Sequence, residues 1–337
     1  MQFGPRPLAE AAGAILAHSV DLPDGRLRKG VTLTPAHLAQ LAAAGHDPVT
    51  VAVLDANDIH ENIAAARLAD ALVPDPAAAG LRLTPAFTGR VNLIAAHAGV
   101  CVIDGAAVHA LNRVDPMITL ATLPPLQQVS AGQMVATVKI IAYAVPAAAV
   151  AQAEAAAHAS LRIAPVTLSR ATLIVTEIPG GAGLAGAAAI AARLAALGIT
   201  LEAITPVPHA IAPLAAAIRA AAGDLVLILT GSATSDPDDV APSAVRAADG
   251  HVTRFGMPVD PGNLLFLGDQ GGRTVIGLPG CARSPALNGA DWVLARVACG
   301  LAVADADIAA MGLGGLLKEI PSRPMPRKGP PKSPEKG

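Results

Sequence analysis

An acidic loop offers the most direct chemistry in this 337-residue chain. Asp236, Asp238 and Asp239 lie close together, and no lysine or arginine separates them. Carboxylates at this spacing predict binding of a divalent cation, which could bridge the loop to an anionic ligand. A purely structural interpretation is that one aspartate caps the following helix while the others face water. The spacing alone leaves both interpretations open.

The acidic loop is predicted to join a buried strand to a helix. It spans residues 230–240 and follows the apolar run Leu225–Leu229, which is typical of a parallel strand covered on both faces. Pro242 suits an early helical position, and residues 243–248 continue the helix to a stop at Gly250. This order of elements aims free backbone N–H groups and the positive end of the helix dipole at one crevice. The predicted ligand is therefore an anion.

Two further loops rich in proline and glycine adjoin short apolar strands. Residues 257–263 precede the run Leu264–Leu267, and residues 277–284 follow Thr274–Ile276. The Asp269–Gly272 turn between these runs predicts a β-hairpin. Because all three loops lie at the ends of consecutive strands, they are predicted to form one binding pocket.

The third loop is predicted to lead into another helix. Ser284 and Pro285 have the order of an N-cap and a first helical residue, and a helix containing Trp292 would then run to Gly300. This assignment places Arg283 beside a helix N-terminus, where it would face the ligand across the crevice.

The three loops together resemble the molybdopterin-binding domain shared by molybdopterin molybdotransferases, molybdopterin adenylyltransferases and gephyrin. The chain has T-G-x-x-T-x-x-x-x-D from Thr230, then P-G-N from Pro261 before an apolar strand, then G-L-P-G from Gly277. Residues 27–45 also resemble a molybdotransferase segment. The resemblance implies a three-layer α/β/α domain that binds molybdopterin, or its nucleotide or molybdenum-loaded form, together with Mg2+.

The resemblance also assigns roles to individual residues. Asp239 and Asp236 would be catalytic, and Asp238 and Asp239 would hold the metal ion. The residues implied to line the cofactor are Thr230, Gly231, Ser232, Thr234, Pro261, Gly262, Asn263, Pro279, Gly280, Arg283 and Ser284.

The chain departs from the family pattern at several places. In the acidic loop, Ser232 stands where the family has a second glycine, and Asp236 stands where it has a small residue. Elsewhere, Asn263 replaces a lysine, Cys281 replaces an asparagine, and His209 replaces an aspartate. The M-D-G-Y-A motif is absent. Two functions therefore stay open. One is a molybdotransferase-like transferase that inserts molybdate into adenylylated molybdopterin. The other is a non-catalytic carrier of molybdenum cofactor.

A competing motif suggests a different class of protein. Gly181, Gly183 and Gly186 form a G-x-G-x-x-G pattern between a predicted strand and an alanine-rich helix, and Glu202 follows at about the distance of a ribose-binding acid. This alternative is an NAD(P)-binding oxidoreductase. Against it, Pro179 and the glycine after it lengthen the turn, whereas a dinucleotide fold needs its first glycine at the end of the strand.

Composition excludes several other classes. A formal net charge of −2 supplies no basic surface for nucleic acid. The stretch 140–153 is too short to span a bilayer and is broken by Pro146, so no membrane partner is expected. Cys101, Cys281 and Cys299 have no paired spacing, and residues 1–7 lack the blocks of a secretion signal, which together predict a cytoplasmic location.

Length and pattern predict two domains followed by a tail. Residues 1–165 are expected to form a mixed, strand-rich accessory region, itself divisible into two subdomains, and residues 166–319 the molybdopterin-binding α/β domain. Strands are predicted at Val91–Ala95, Val100–Ile103, Ile118–Leu123 and Met134–Ala142.

The last segment, residues 320–337, is rich in proline and lysine and is predicted to be disordered. In bacterial proteins that this chain resembles, such a linker precedes a nucleotidyltransferase. The resemblance therefore implies hand-over of cofactor to a separate nucleotidyltransferase. A homo-oligomer is also compatible with the sequence.

Overall fold

The computed structural model describes residues 1–317 and divides into two compact units, Met1–Val166 and a second unit that begins at Thr167. The predicted tail, residues 320–337, lies outside the described residues.

The first unit is built from short antiparallel strands and four helices in its described residues. The strands are β1 (Gln2–Arg6), β2 (Ile15–Leu16), β3 (Val20–Leu22), β4 (Gly25–Leu27), β5 (Val49–Val53), β6 (Asp58–His60), β7 (Leu81–Leu83), β8 (Arg90–Ala95), β9 (Gly99–Ile103), β10 (Ile118–Thr122), β11 (Gln128–Val129), β12 (Met134–Ile140), β13 (Ala144–Pro146) and β14 (Leu161–Pro165). The helices are α1 (Pro35–Ala43), α2 (Glu61–Leu72), α3 (Gly105–Asn112) and α4 (Ala147–Ala156).

Two separate hydrophobic cores hold the first unit together. One gathers buried residues between Leu8 and Val51, and the other gathers buried residues between Ala64 and Ile163. The second core is covered by a four-stranded sheet of order β10-β12-β8-β7. The strand-rich N-terminal region expected from the alternating apolar pattern is thus present, and its predicted strands correspond to β8, β9, β10 and β12.

The second unit is organised around one six-stranded sheet. Its strands are β15 (Arg170–Glu177), β16 (Thr200–Pro208), β17 (Leu225–Leu229), β18 (His251–Phe255), β19 (Phe266–Gln270) and β20 (Arg273–Leu278). Its helices are α5 (Ala187–Ala196), α6 (Ile211–Ala220), α7 (Val240–Ala247), α8 (Gly289–Ala298) and α9 (Asp305–Ala310).

The sheet has the order β16-β15-β17-β20-β19-β18. Strands β16, β15, β17 and β20 are parallel to one another, β19 runs antiparallel to β20, and β18 runs antiparallel to β19 and so has the same direction as the first four. The predicted hairpin is confirmed, since Asp269 on β19 pairs with Thr274 on β20. The run Leu225–Leu229 is the fully buried parallel strand that its apolar composition indicated.

Helices cover both faces of the sheet. Ile174, Val226 and Ile228 pack against α6 and α7 in one hydrophobic core. Their neighbours Leu173 and Leu227 point to the opposite face because side chains alternate along a strand, and they are also completely buried. Helix α8 contacts β20 and helix α5 contacts β16. The result is the three-layer α/β/α domain that the resemblance implied.

Of the two predicted helix starts, that of α7 agrees with the sequence-based expectation of Pro242 at an early helical position, and that of α8 differs. Helix α7 begins at Val240 with Asp239 as N-cap, so Pro242 lies at the third helical position. Helix α8 begins at Gly289, and its N-cap is Asn288 in a capping box with Asp291, so the assignment of Ser284 and Pro285 as its start is wrong. Ser284 has extended backbone geometry because it ends a separate 3₁₀ turn.

No helix within residues 1–317 is long and apolar enough to cross a membrane. The apolar stretch 140–153 contains β13 and most of α4.

Candidate functional site

Loops from several strands meet at one edge of the six-stranded sheet. Because β15, β17 and β20 are parallel neighbours, their carboxyl ends lie at the same edge. The loops that follow them are residues 178–186, 230–239 and 279–288. Crevices at this edge of a parallel sheet are the usual binding positions of α/β domains.

The P-G-N loop reaches the same edge by a different route. It lies between β18 and β19, and Phe266 at the start of β19 pairs with Gly277 near the end of β20. The antiparallel direction of β19 therefore puts residues 256–265 beside the carboxyl end of β20. The structure thus brings the three predicted loops to one edge.

Within the acidic loop, the carboxylates bond to the loop itself. Asp239 accepts the Val240 N–H at 2.7 Å through Oδ1 and the Ser235 N–H at 3.1 Å through Oδ2. Asp236 accepts the Asp238 N–H at 2.8 Å. Asp238 forms an exposed ion pair with Arg246 at 2.8 Å.

These contacts do not fit the magnesium site that the resemblance implied. No group of three or more His, Cys, Asp or Glu side chains in residues 1–317 is arranged to hold a metal ion. Both oxygens of Asp239 are engaged by backbone N–H groups, and Asp238 is neutralised by Arg246. The carboxylates are close in sequence, but each bonds to different partners, which are loop N–H groups for Asp236 and Asp239 and Arg246 for Asp238. The structural interpretation of Asp239 as a helix cap describes what is observed.

The glycine and threonines of this loop serve its packing. Thr230 and Thr234 are buried, with their hydroxyl oxygens 3.4 Å apart. The Gly231 N–H donates to Thr176 Oγ1 at 2.9 Å, and a Cβ at Gly231 would lie 2.6 Å from the Thr176 carbonyl oxygen. Only glycine therefore fits against the end of β15. Ser232, by contrast, is exposed at the edge.

The P-G-N loop is fastened to the start of α8. Gly289 N–H donates to the Pro261 carbonyl at 2.9 Å. Gly262 has a φ of 142°, and a Cβ there would lie 2.7 Å from the Gly289 nitrogen. Asn263 closes the loop by accepting the Met257 N–H at 3.0 Å through its carbonyl oxygen, while its side chain is exposed.

The third loop forms a single 3₁₀ turn over Gly280–Arg283, with Pro279 as its N-cap. A Cβ at Gly280 would meet no atom within 4 Å, so this backbone faces open space. Ser284 Oγ accepts the Ala286 N–H at 3.2 Å. Burial raises the pKa of the Cys281 thiol, so the turn carries a neutral thiol rather than a thiolate.

Arg283 ties two of these loops together. Its guanidinium donates to the carbonyl oxygens of Gly183 and Thr230, each at 3.0 Å, and also to that of Ala185. Arg283 was expected beside the N-terminus of the next helix, but that helix begins only at Gly289, and the Arg283 side chain instead fills the junction between loops. Carbonyl oxygens do not neutralise a guanidinium, and no carboxylate of residues 1–317 forms an ion pair with it. Arg283 therefore brings a positive charge to this otherwise acidic edge, and burial lowers its pKa.

Arg193 on α5 holds the third loop in place. It forms a largely buried ion pair with Asp291 at 2.6 Å. The same guanidinium donates to the carbonyls of Ala282 at 2.9 Å, Ser284 at 2.8 Å and Ala286 at 3.0 Å. Several hydrogen bonds to one planar guanidinium fix the path of the loop.

The dinucleotide alternative meets a geometric obstacle. Gly186 is the N-cap of α5 at φ 90°, and a Cβ there would lie 2.5 Å from Arg283 Cβ, so this glycine serves loop packing. Glu202 lies near the start of β16 and pairs with Arg170 at 3.3 Å. A ribose-binding acid belongs at the carboxyl end of its strand, which is the opposite edge of the sheet.

A histidine and a threonine extend the site beyond the predicted residues. Thr176 is the penultimate residue of β15 and is completely buried. Its Oγ1 lies 2.8 Å from Nδ1 of half-buried His209, which follows β16. The His209 N–H donates to the Glu177 carbonyl at 3.0 Å. His209 was noted in the sequence only as a departure from the family pattern. Thr176 gave no sequence signal, because a buried threonine in an apolar strand is an ordinary core residue.

Comparison with known proteins yields two family matches. Residues 185–296 match a family described as a probable molybdopterin binding domain, and residues 5–53 match a domain of unknown function. No curated protein matches the chain.

Solved structures of low identity are also similar. A molybdopterin biosynthesis MoeA protein from Pyrococcus horikosii has 13% identity over 89% of this chain and 75% of its own, with a TM-score of 0.32. A molybdopterin biosynthesis protein from Mycobacterium abscessus has 16% identity over 39% of this chain and 92% of its own, with a TM-score of 0.28. A molybdenum cofactor biosynthesis protein from Pyrococcus furiosus has 13% identity over 92% of this chain and 65% of its own, with a TM-score of 0.25.

These TM-scores are too low to support a conclusion, so the assignment depends on the family match and on the motifs. The matched segment contains the acidic loop, the P-G-N loop and the G-L-P-G loop, and it forms most of the three-layer unit. Residues 185–296 of this chain therefore belong to the molybdopterin-binding domain family.

Proposed function

We propose that this protein binds molybdopterin, or its nucleotide or molybdenum-loaded form, as part of molybdenum cofactor biosynthesis. The observation that carries the proposal is the meeting of the three family loops at the carboxyl edge of one sheet. Arg283 supports it, because its guanidinium has no carboxylate partner within residues 1–317 and holds two of the loops together, which offers one preorganised positive group to a phosphate-bearing ligand.

Polar groups at this edge are suited to ligand recognition. Ser232, Asn263 and Ser284 have exposed side chains, and the Gly280 backbone faces open space. Thr230, Thr234, Gly262 and Pro279 are buried and serve as framework. In the proposed complex the first group contacts the pterin phosphate, while the second group holds the loops that present it.

The contacts of the acidic loop favour a protein that binds the cofactor and hands it over, rather than an enzyme that catalyses a magnesium-dependent transfer. Asp239 caps α7 through one carboxylate oxygen and accepts the Ser235 N–H of the loop through the other, and Asp238 pairs with Arg246, so no step through a metal ion is derived for this chain. We therefore propose a carrier that passes the cofactor to a later enzyme, such as a nucleotidyltransferase. Molybdate insertion into adenylylated molybdopterin is the competing activity.

Anaerobic titration with molybdopterin tests the proposal. Saturable one-site binding is expected, and NADH is expected not to bind. Failure of molybdopterin to bind contradicts the proposal. Tight NADH binding that is lost in Gly183→Val would establish the dinucleotide alternative instead.

A second measurement separates carrier from transferase. Protein loaded with adenylylated molybdopterin is incubated with molybdate, with and without Mg2+, and released AMP is measured. A carrier releases no AMP under either condition. A carrier should instead transfer labelled cofactor to an added nucleotidyltransferase. AMP release that requires Mg2+ would identify a transferase.

A further inference from the structure

His209 and Thr176 form a hydrogen-bonded pair at the carboxyl edge of the sheet, outside the residues that the family motifs assign. Thr176 Oγ1 accepts the Gly231 N–H at 2.9 Å and lies 2.8 Å from His209 Nδ1. Thr176 is the penultimate residue of β15, His209 directly follows β16, and Gly231 lies just after β17, and these three strands are neighbours in one sheet.

The hydroxyl hydrogen of Thr176 decides the tautomer of His209. Thr176 is completely buried, and within residues 1–317 its hydroxyl has no hydrogen-bonding partners besides Gly231 and His209. Gly231 donates to it, so the hydroxyl hydrogen finds an acceptor only if it points to His209 Nδ1. A buried hydroxyl without an acceptor would cost free energy, so this orientation is favoured. A neutral imidazole that accepts at Nδ1 carries its proton on Nε2.

The Nε2–H group then remains available to a ligand. No described residue of the chain accepts a hydrogen bond from it, and the imidazole is only half-buried. Thr176 fixes the orientation of the ring through its contact with Nδ1, and a partner on the other ring nitrogen fixes many functional histidines in the same way. Gly231 connects the pair directly to the acidic loop.

We propose that His209, held in its Nε2–H tautomer by Thr176, is a positioning residue that donates a hydrogen bond to a phosphate oxygen of the bound ligand. This inference rests on the proposed function, because the ligand is the same phosphate-bearing pterin. A hydrogen bond to a phosphate is charge-assisted and thus stronger than one between neutral groups.

The test compares molybdopterin affinity among matched variants under anaerobic conditions. His209→Ala is expected to raise Kd about tenfold or more, and His209→Gln, which keeps an N–H near the Nε2 position, is expected to recover most of the affinity. His251→Ala is the control, because His251 is an exposed histidine at the start of β18, at the opposite edge of the same sheet. Its Kd should equal that of the wild type.

Nitrogen NMR of the histidine side chains in the wild-type protein provides a second measurement. If His209 had only a structural role, its Nε2–H resonance would not change when the ligand binds. His209 should show a protonated Nε2 and an unprotonated Nδ1 before ligand is added, and the Nε2–H resonance should shift on binding. A proton on Nδ1, or an unchanged Nε2–H resonance in the complex, overturns the inference.

The outcomes separate this inference from the proposed function. Wild-type protein that does not bind molybdopterin overturns both. Binding by the wild type with the same Kd in His209→Ala overturns only the role of His209. A thermal melt of each variant confirms that it is folded before its Kd is compared.

Discussion

At the scale of single residues, Asp239 shows how a motif residue can be explained by local structure. Its carboxylate accepts hydrogen bonds from the Val240 and Ser235 N–H groups, so the same side chain closes the acidic loop and caps the start of α7. The cap by itself accounts for an aspartate at this position without a bound ligand, since a cap of this kind typically contributes about 1 kcal/mol to the free energy of unfolding. The family motif and the helix cap therefore coincide in one side chain.

Two substitutions of Asp239 distinguish a cap from a metal ligand. Asp239→Ala is expected to lower the free energy of unfolding by about 1 kcal/mol, whereas Asp239→Asn should change it little because asparagine also caps helices well. Chemical denaturation measures both values. Molybdopterin affinity with and without EDTA serves as the control. If Asp239→Asn abolishes an EDTA-sensitive part of binding, Asp239 holds a metal after all.

At the scale of elements, loop packing depends on close contact between α5 and the third loop. Gly186 has a φ of 90°, and a Cβ there would lie 2.5 Å from Arg283 Cβ and 2.6 Å from its Cα. Arg283 in turn donates to Gly183 and Thr230. A change at Gly186 should therefore displace the residue that joins two loops of the site.

A pair of glycine substitutions measures this contact. Gly186→Ala should destabilise the fold by about 2–4 kcal/mol, because left-handed backbone strain of about 1–2 kcal/mol adds to the clash with Arg283. Gly198→Ala is the matched control: its φ is 72°, but no atom lies within 4 Å of its Cβ position, so only the strain remains. Equal destabilisation of the two variants in denaturation experiments would contradict the role assigned to the contact.

At the opposite edge of the sheet, Asp224 joins the starts of β15 and β17. Its carboxylate accepts hydrogen bonds from the Ser169 N–H, the Ser169 hydroxyl and the Arg170 N–H, at 3.0, 3.0 and 3.1 Å. These bonds lower the pKa of Asp224 from its usual 3.8, with the Ser169 backbone bond the largest cause. The charged carboxylate therefore stabilises the fold above pH 3.8, and this contribution is lost as the pH falls through the lower pKa of the folded state.

Removal of this carboxylate should make Tm depend less on pH at acidic pH. Asp224→Asn is expected to lower Tm near neutral pH, and its difference from the wild type should shrink as the pH falls below 3.8. Melting curves between about pH 2 and about pH 7 measure this. Asp249→Asn is the control, because its exposed pair with Arg219 should matter little at any pH. A pH-independent Tm difference for Asp224→Asn would contradict the expectation.

At the scale of the whole molecule, the chain consists of two units with separate hydrophobic cores. Every strand of the six-stranded sheet and the helices that cover it come from residues after Val166. A unit that contributes its own core can fold alone. The family match, residues 185–296, lies entirely within it.

Isolation of the second unit tests this organisation. A fragment of residues 167–317 is expected to unfold in one cooperative transition and to show mixed α/β circular dichroism, because its sheet and covering helices are complete. Thermal denaturation of the fragment and of the full chain makes the comparison. A fragment that lacks a cooperative transition would show that the unit depends on the preceding residues.

Much of the second unit could be predicted from the sequence because its signals are local. The apolar run Leu225–Leu229 indicated a buried parallel strand, and the Asp269–Gly272 turn indicated a hairpin. The start of α8 was misplaced because Ser284 and Pro285 imitate a helix start, whereas the Asn288 capping box provides the actual one. Such errors arise when two local sequence patterns both predict a helix start and tertiary packing determines which one forms it.

By itself the sequence determined the three loop motifs, their resemblance to one family pattern, and which strands and helices flank them along the chain, because these follow from short-range spacing. Only the tertiary structure decided what the side chains contact. Arg283 donates to carbonyls of residues far away in sequence, and Thr176 meets His209 across neighbouring strands. Hydrogen-bond partners of this kind depend on strand order and register, which spacing along the chain does not encode.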